Sequence, residues 1–313
     1  MKSKLPGRMG PFLLVVCLLL TGSQLVFAQS GGVRSVDFGG VSFNYDASLA
    51  GGVNAQLVPE AIEGGNTPFW MTMPQHIEFN FTDFQGSDRA MEATIYVFPV
   101  LSDYRYLVPD VSHDVWLPNI TQLKNLISSQ PDLLQHISSL TPDQAGLPYL
   151  PPINAVTNPT GKLGYLSFGN GLGVRYLAQA SQDASPPRPE NTFYTFQGLT
   201  TDGNFYVAAS FSAFPTSMPP IDPPQGTDIR SYYLGLISRF DAVSNNEYTP
   251  NLDLLDKMVG SLNVRPDNLS VLPGMPKTGN ENDLSTVAAL LLVGAYMLTV
   301  GGLVLLARRR KST

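Results

Sequence analysis

The chain has 313 residues, of which 43% are hydrophobic and only 14% are charged, with 28 glycines, 26 prolines and a formal net charge of −6. This composition excludes a highly charged disordered protein, and the aperiodic glycine and proline exclude collagen. The charge balance, with 25 acidic residues against 19 basic ones, argues against a nucleic-acid-binding protein, which normally needs a basic surface.

The N-terminus is typical of a secretory signal peptide over residues 1–28. Three basic residues precede an apolar run, Phe12–Leu20. As a helix this run spans about 13.5 Å, which is too short for a bilayer core of about 30 Å. We expect cleavage after the small residue Ala28, so that the exported chain begins at Gln29. An uncleaved anchor over residues 12–28 is the alternative.

Cys17 is the only cysteine of the chain and lies inside this apolar run. Lipidation would require a small residue before it, and Val16 stands there. The exported chain therefore contains no cysteine, which excludes disulfides, thiolate catalysis and cysteine-ligated metals.

Residues 29–264 are predicted to form one extracellular α+β domain. Between Gln29 and Thr278 the sequence has 23 acidic and 12 basic residues, a surplus that keeps an exported domain soluble. Strands come first, then a helical insert, then further strands and closing helices. This order favours an antiparallel, aromatic-rich sheet packed by two to four helices.

Strict alternation of apolar and polar residues predicts three half-buried strands, at residues 41–45, 77–81 and 93–97. Two hairpins are predicted after them. Residues 162–168 and 174–180 are joined through Gly169-Asn170-Gly171, and residues 193–199 and 205–214 through Asp202-Gly203.

Apolar residues at helical spacing predict two or three helices. The first opens at Pro118 and stops at Pro131. The second covers residues 229–243, with Thr227 or Asp228 as N-cap and Phe240 on its apolar face. The third starts with Pro250 at its first position. The proline-rich stretches 148–152, 186–189 and 215–224 are expected to be extended surface loops.

The hairpin at residues 194–203, followed by the closing segment 252–264, resembles uncharacterised secreted bacterial proteins and, more distantly, the PsbP/Mog1-type α+β sandwich. The resemblance covers about 100 residues of this sequence. It implies a binding or accessory domain and carries no site residues.

Three groups of polar residues are weighed as sites. His76, His113 and His136 lack metal-ligand spacing and are expected at the surface. The Gly169–Gly173 run lacks the helix and the Lys-Ser/Thr of a phosphate loop, so a hairpin turn is favoured. Asp83, Asp88 and Glu92 are a candidate carboxylate pair or calcium site, but the DxDxDG pattern is missing, which favours a solvated hairpin tip.

Aromatic residues in loop-like segments are a further candidate, because tyrosine and tryptophan platforms often bind glycans or peptides. Burial in the core is the alternative, since aromatic residues are usually buried. The residues concerned are Trp70, Trp116, Tyr104 and Tyr106.

A charge-free stretch, Leu284–Leu306, is long enough to span a membrane. The tail at residues 307–313 follows it and is predicted to stay in the cytoplasm by the positive-inside rule. The basic residues that stop transfer are Arg308, Arg309, Arg310 and Lys311.

The linker at residues 265–283 contains Pro-x-Thr-Gly before this span. The motif positions are Met275, Pro276, Lys277, Thr278 and Gly279. The motif, the span and the basic tail together resemble the sorting signal of sortase-anchored bacterial surface proteins. The resemblance implies that a sortase cuts between Thr278 and Gly279 and joins the Thr278 carbonyl to an amine of the cell envelope. Met275 departs from the usual leucine, and Lys277 is the variable position.

These signals favour a bacterial surface protein, anchored in the envelope, whose domain binds an unknown extracellular ligand without catalysis and without a cofactor or metal. One alternative is a single-span membrane sensor, which would need a membrane partner. The other is a hydrolase that uses a carboxylate pair including Asp83 and Glu92.

Overall fold

The computed structural model describes residues 24–25, 32–86, 91–108, 110–140, 146–182, 188–218 and 228–265. The sorting motif at residues 275–279, the predicted span and the basic tail lie outside the described residues. The predicted signal peptide does too, apart from Gln24–Leu25. None of the helices among the described residues combines the length and the hydrophobicity that a membrane span requires.

The described residues form an α+β fold in which the paired strands are antiparallel, as predicted. The strands are β1 Gln24–Leu25, β2 Val33–Phe38, β3 Val41–Asp46, β4 Gly52–Val58, β5 His76–Thr82, β6 Thr94–Pro99, β7 Val156–Phe168, β8 Gly171–Ser181, β9 Phe193–Thr200, β10 Phe205–Ser212, β11 Phe214–Pro215, β12 Tyr248–Thr249 and β13 Asn263–Val264. The helices are α1 Trp116–Ser129, α2 Leu133–Ser139, α3 Ile229–Ala242 and α4 Leu252–Gly260.

Eight strands form a central sheet in the order β1-β4-β5-β6-β10-β9-β8-β7, while β13-β3-β2 and β11-β12 form two small sheets. Both predicted hairpins are present. Gly169-Asn170 is the turn between β7 and β8, and Asp202-Gly203 lies in the turn between β9 and β10. The turn residues and the period-2 pattern therefore predicted this part of the sheet correctly.

Side chains of the central sheet enter two separate cores. On β10, Val207 and Phe211 belong to the first core, whereas Tyr206 and Ala208 belong to the second. The first core lies between the central sheet and a layer made of the β13-β3-β2 sheet, α3 and α4. The second core lies on the opposite face, under α1, α2 and loop segments. The central sheet is therefore the middle of three layers.

Helix α3 matches its prediction closely. The Asp228 side chain accepts a hydrogen bond from the Ser231 backbone N–H at 2.8 Å, as an N-cap residue does. Leu236, Ile237 and Phe240 are buried, which confirms that this stripe faces the core.

Helix α1 begins two residues before the predicted start at Pro118. Asp114 accepts hydrogen bonds from the backbone N–H groups of Trp116 and Leu117 at 2.9 and 3.2 Å. Pro118 thus falls within the first turn, where backbone N–H groups have no partner inside the helix, so its missing N–H costs nothing.

Two predictions about proline are wrong. Pro250 does not open a helix, because α4 begins at Leu252 behind the N-cap Asn251, and Tyr248–Thr249 forms the short strand β12 instead.

The segment at 148–152 is not a surface loop but is buried in full. Burial is possible there because sheet side chains bond its backbone: Gln197 binds both Leu150 backbone groups, and the Tyr176 hydroxyl donates to the Pro148 carbonyl at 2.9 Å.

Candidate functional site

Three of the eight large apolar residues that are exposed in the described part of the chain lie on two neighbouring segments, residues 59–75 and 100–108. Ile62 is 45% exposed, Met71 55% and Tyr106 46%, while Phe69 and Trp70 are half-buried. These five residues are named the aromatic-loop surface. A large apolar residue that stays exposed among others of its kind is more informative than a scattered one, because such patches mark interaction sites.

Backbone hydrogen bonds hold the two segments together. Ala61 and Met73 pair as an antiparallel bridge, which closes the first segment into a loop. The Glu63 backbone N–H donates to the Leu107 carbonyl at 2.8 Å, which ties this loop to the second segment. The five side chains are therefore presented by a fixed backbone, which lowers the entropic cost of binding a ligand.

The centre of the surface is a single 3-10 turn, Phe69–Met71, that follows Pro68. The Thr72 hydroxyl donates to the Phe69 carbonyl at 2.7 Å and closes the turn. The Trp70 ring meets the Phe69 ring edge to face, with ring centres 5.0 Å apart. This geometry is the favoured one for an aromatic pair, so it fixes Trp70 in place.

A histidine–carboxylate pair packs against the Phe69 side chain of this turn. His113 Nδ1 lies 2.7 Å from Glu63 Oε1, and the His113 ring stacks on Phe69 at 4.7 Å. Glu63 Oε2 is buried and has no hydrogen-bond partner among the described residues. The neighbouring Ser112 hydroxyl donates to Asp110 at 2.7 Å. The pair therefore positions Phe69 and leaves one carboxylate oxygen of Glu63 as an unused acceptor.

The two segments and the residues that follow them carry an excess of negative charge. Residues 59–75 and 100–114 contain five carboxylates against one arginine. That arginine, Arg105, is bound by Asp103 with a shortest N–O distance of 2.6 Å. Partial burial, helped by the negative charge of Glu60, raises the pKa of Tyr106 to about 12. Tyr106 therefore stays neutral and available as a hydrogen-bond donor at physiological pH.

The four aromatic candidates divide into two pairs. Trp70 and Tyr106 belong to the aromatic-loop surface. Trp116 and Tyr104 are buried in the second core, where their rings stack 5.6 Å apart. Sequence reasoning missed the other three members of the surface, although the apolar run Phe69–Met71 between two prolines was a readable signal.

The histidines have three different surroundings. His76 is 2% exposed, packs on Phe98 and lies 2.7 Å from the Pro74 carbonyl through Nδ1, so the prediction of a surface histidine is wrong. Burial lowers the pKa of His76. His113 is the partner of Glu63, and His136 lies half-buried on α2.

The described carboxylate candidates lie at the β5–β6 connection, Asp83 just after β5 and Glu92 just before β6. Asp83 and Glu92 are exposed, and Asp88 lies outside the described residues. Asp83 adopts a positive φ of 50° and leans over Gly51, which precedes β4. In the described ranges, no group of three His, Cys, Asp or Glu side chains is placed to hold a metal ion.

The Gly169–Gly173 run is the β7–β8 hairpin, as expected. Asn170 binds both backbone groups of Val264 and so fastens β13 to this turn. A Cβ on Gly171 or Gly173 would lie within 2.6 Å of a phenylalanine ring. The glycines therefore make room for the aromatic rings of the first core and do not form a phosphate-binding loop.

Searches of protein families, curated proteins and solved structures find no match to this chain. The resemblances to PsbP/Mog1-type sandwiches and to sortase-anchored proteins therefore stay predictions.

Proposed function

We propose that this protein is anchored at the bacterial cell surface and that its folded domain binds an extracellular ligand through the aromatic-loop surface without catalysis. Export and anchoring are supported by the sequence at both ends of the chain. Binding is supported by one observation above all: Trp70, Met71 and Tyr106 remain accessible on a backbone that hydrogen bonds hold in place.

Catalysis has less support at this surface. The His113–Glu63 pair has the geometry of a base and its orienting group, but the adjacent hydroxyl of Ser112 is bonded to Asp110. An acyl-transfer site would instead require a nucleophile within hydrogen-bond reach of the imidazole. The pair accounts better for the fixed position of Phe69, on which the His113 ring stacks.

Anchoring is tested by Thr278→Ala, with Lys277→Ala as the matched control. Sortase transfer breaks the Thr278–Gly279 amide, releases the Gly279 amine and forms a new amide between the Thr278 carbonyl and an envelope amine. We expect the wild type and Lys277→Ala to resist detergent extraction and Thr278→Ala to be extracted. Extraction of all three by detergent would instead favour the single-span sensor.

Export is tested by mass spectrometry of the surface protein. We expect an N-terminus at Gln29, because Ala28 is the last small residue before the polar stretch. Cleavage there removes β1 and leaves β4 at that edge of the central sheet. An intact Met1 or a lipid on Cys17 would contradict the signal-peptide prediction.

Ligand binding is tested by screening the full chain, in a non-ionic detergent, on arrays of peptides and glycans. Trp70→Ala is expected to weaken any specific signal by about tenfold, as loss of an aromatic anchor does. Leu134→Ala is the control, because Leu134 is 40% exposed on α2. Equal binding by both variants would exclude the aromatic-loop surface. Hydrolysis of an array ligand that is lost in Asp83→Ala or Glu92→Ala would support the hydrolase instead.

A further inference from the structure

The aromatic-loop surface combines apolar contact area with an excess of negative charge. Its exposed side chains are aromatic or aliphatic, and the residues around them include Glu60, Glu63 and Asp110. The single arginine of these segments is neutralised by its own neighbour Asp103. A ligand that fits this surface needs apolar groups and positive charge within the same side chain.

Lysine and arginine have this composition, because each joins a hydrocarbon stem to a cationic head. The stem would cover Ile62 or Met71. The head is attracted both to the face of an indole or phenol ring and to a carboxylate. We propose that the aromatic-loop surface binds a basic peptide segment of a partner protein, with an arginine or lysine side chain placed against Trp70. This inference rests on the proposed binding function and specifies its ligand class.

Charge decides between this ligand and others. The domain as a whole is acidic, with 23 acidic and 12 basic residues between Gln29 and Thr278, so anionic polymers are repelled over most of the surface. A neutral glycan would stack on Trp70 and donate hydroxyl hydrogen bonds to carboxylates, but it carries no positive charge to compensate their excess. Glu60, which is exposed on the same segment as Ile62 and Trp70, is an acceptor that a guanidinium or ammonium group can reach.

Tryptophan fluorescence gives a direct measurement, since the chain contains two tryptophans. Trp116 is 0% exposed in the second core, whereas Trp70 lies on the aromatic-loop surface. A change in emission when a ligand is added therefore reports on Trp70. The probe is a peptide of alternating arginine and glycine, added to the full chain in a non-ionic detergent. We expect a saturable change that weakens when salt is raised to about 0.5 M, because salt screens exposed charges.

Two variants separate the aromatic contribution from the charge. Trp70→Ala, followed by calorimetry, is expected to weaken the affinity for the peptide about tenfold. Glu60→Gln removes an exposed charge near Tyr106 and is expected to weaken it about threefold. Asp37→Asn is the matched control, because Asp37 is also exposed but lies on β2, in the layer that covers the first core. Unchanged melting temperatures show that each variant is folded.

The outcomes distinguish the inference from the function on which it rests. Binding of the arginine peptide that depends on Trp70 and Glu60, together with no binding of the same peptide with glutamate in place of arginine, supports both. Binding of a neutral oligosaccharide through Trp70 without binding of the arginine peptide overturns the inference and keeps the proposed function. Array binding that Trp70→Ala leaves intact overturns both.

Discussion

The two faces of the central sheet are covered in different ways. Regular elements close the first core: α3, α4 and the β13-β3-β2 sheet. The second core is closed by α1 and α2 together with irregular segments at residues 100–108 and 147–150. In helices and strands the backbone N–H and C=O groups bond to one another, whereas those of a buried loop need other hydrogen-bond partners. The second face must therefore supply polar side chains.

The polar contacts of each core follow this difference. In the first core, side chains from regular elements bind one another, as when the Tyr194 hydroxyl donates to Asp256 at 2.9 Å. In the second core, Gln197 accepts from the Leu150 N–H and the Tyr206 hydroxyl and donates to the Leu150 carbonyl and the Thr195 hydroxyl. One amide thus holds a loop onto the sheet.

The aromatic-loop surface can be placed relative to these two cores. The aromatic-loop surface lies on segments connected to the second core, through Leu107 and His76. Loops fixed by a few directed side-chain bonds can carry exposed residues without disturbing the first core. The candidate site and the irregular segments at residues 100–108 and 147–150 therefore lie on the same side of the central sheet.

The largest expected effect comes from breaking the first core. Phe240 is 0% exposed and its Cβ lies directly over Gly161. Phe240→Ala should lower the free energy of unfolding by about 3–5 kcal/mol, because it removes a buried ring and leaves a cavity. Urea unfolding of a fragment of residues 29–270 measures this. Leu134→Ala, at an exposed position, should change it by less than about 0.5 kcal/mol. An unchanged stability for Phe240→Ala would refute the placement of α3.

The second core is tested by Gln197→Met, which keeps the volume but removes the amide. The Leu150 backbone N–H and carbonyl would then be buried without partners, so we expect a loss of about 2–3 kcal/mol. Gln135→Met, on the exposed side of α2, is the control and should have little effect. Equal losses in the two variants would show that the loop is not held by Gln197.

The sequence predicted helix α3 and the two hairpins of the central sheet well. The α3 cap at Asp228, its core face and both hairpins follow from local rules, because capping, periodicity and turn residues act within a few positions. The buried loop at 148–152 was missed, since proline usually indicates a surface and its partner Gln197 is about 47 residues away. No local pattern contains that contact.

The candidate site was predicted only in part for the same reason. Trp70 and Trp116 both stand next to polar or proline-rich sequence, yet the first is on the surface and the second is in the core. Helix α1 begins at Trp116 and turns it inward, which the position of Pro118 concealed. The pairing of Glu63 with His113 joins residues 50 positions apart and is visible in the structure alone.

Lowering the pH is expected to have a smaller effect on the free energy of unfolding. Burial lowers the pKa of His76 from its usual 6.5, while the Pro74 carbonyl and the Glu78 charge partly offset this. The unfolded chain therefore binds the proton more tightly, so stability falls as pH drops below about 6.5 and levels off once pH is under the folded pKa. Unfolding free energies measured from about pH 7 to 5 should decline less steeply for His76→Gln than for the wild type. Parallel curves would contradict the burial of this imidazole.

A thiol reductant or a chelator is expected to cause no measurable change in thermal stability, which makes this the smallest of the expected effects. Both cores are held by packing and hydrogen bonds, and the chain after Ala28 contains no cysteine. The melting temperature of the 29–270 fragment should therefore be the same with and without a thiol reductant or EDTA. A large drop in EDTA, reversed by added calcium and absent in Asp83→Asn, would instead restore the calcium site at Asp83, Asp88 and Glu92. The β5–β6 connection would then be metal-bound, and the first core, which contains Phe81 and Phe84 on either side of Asp83, would no longer be independent of a ligand.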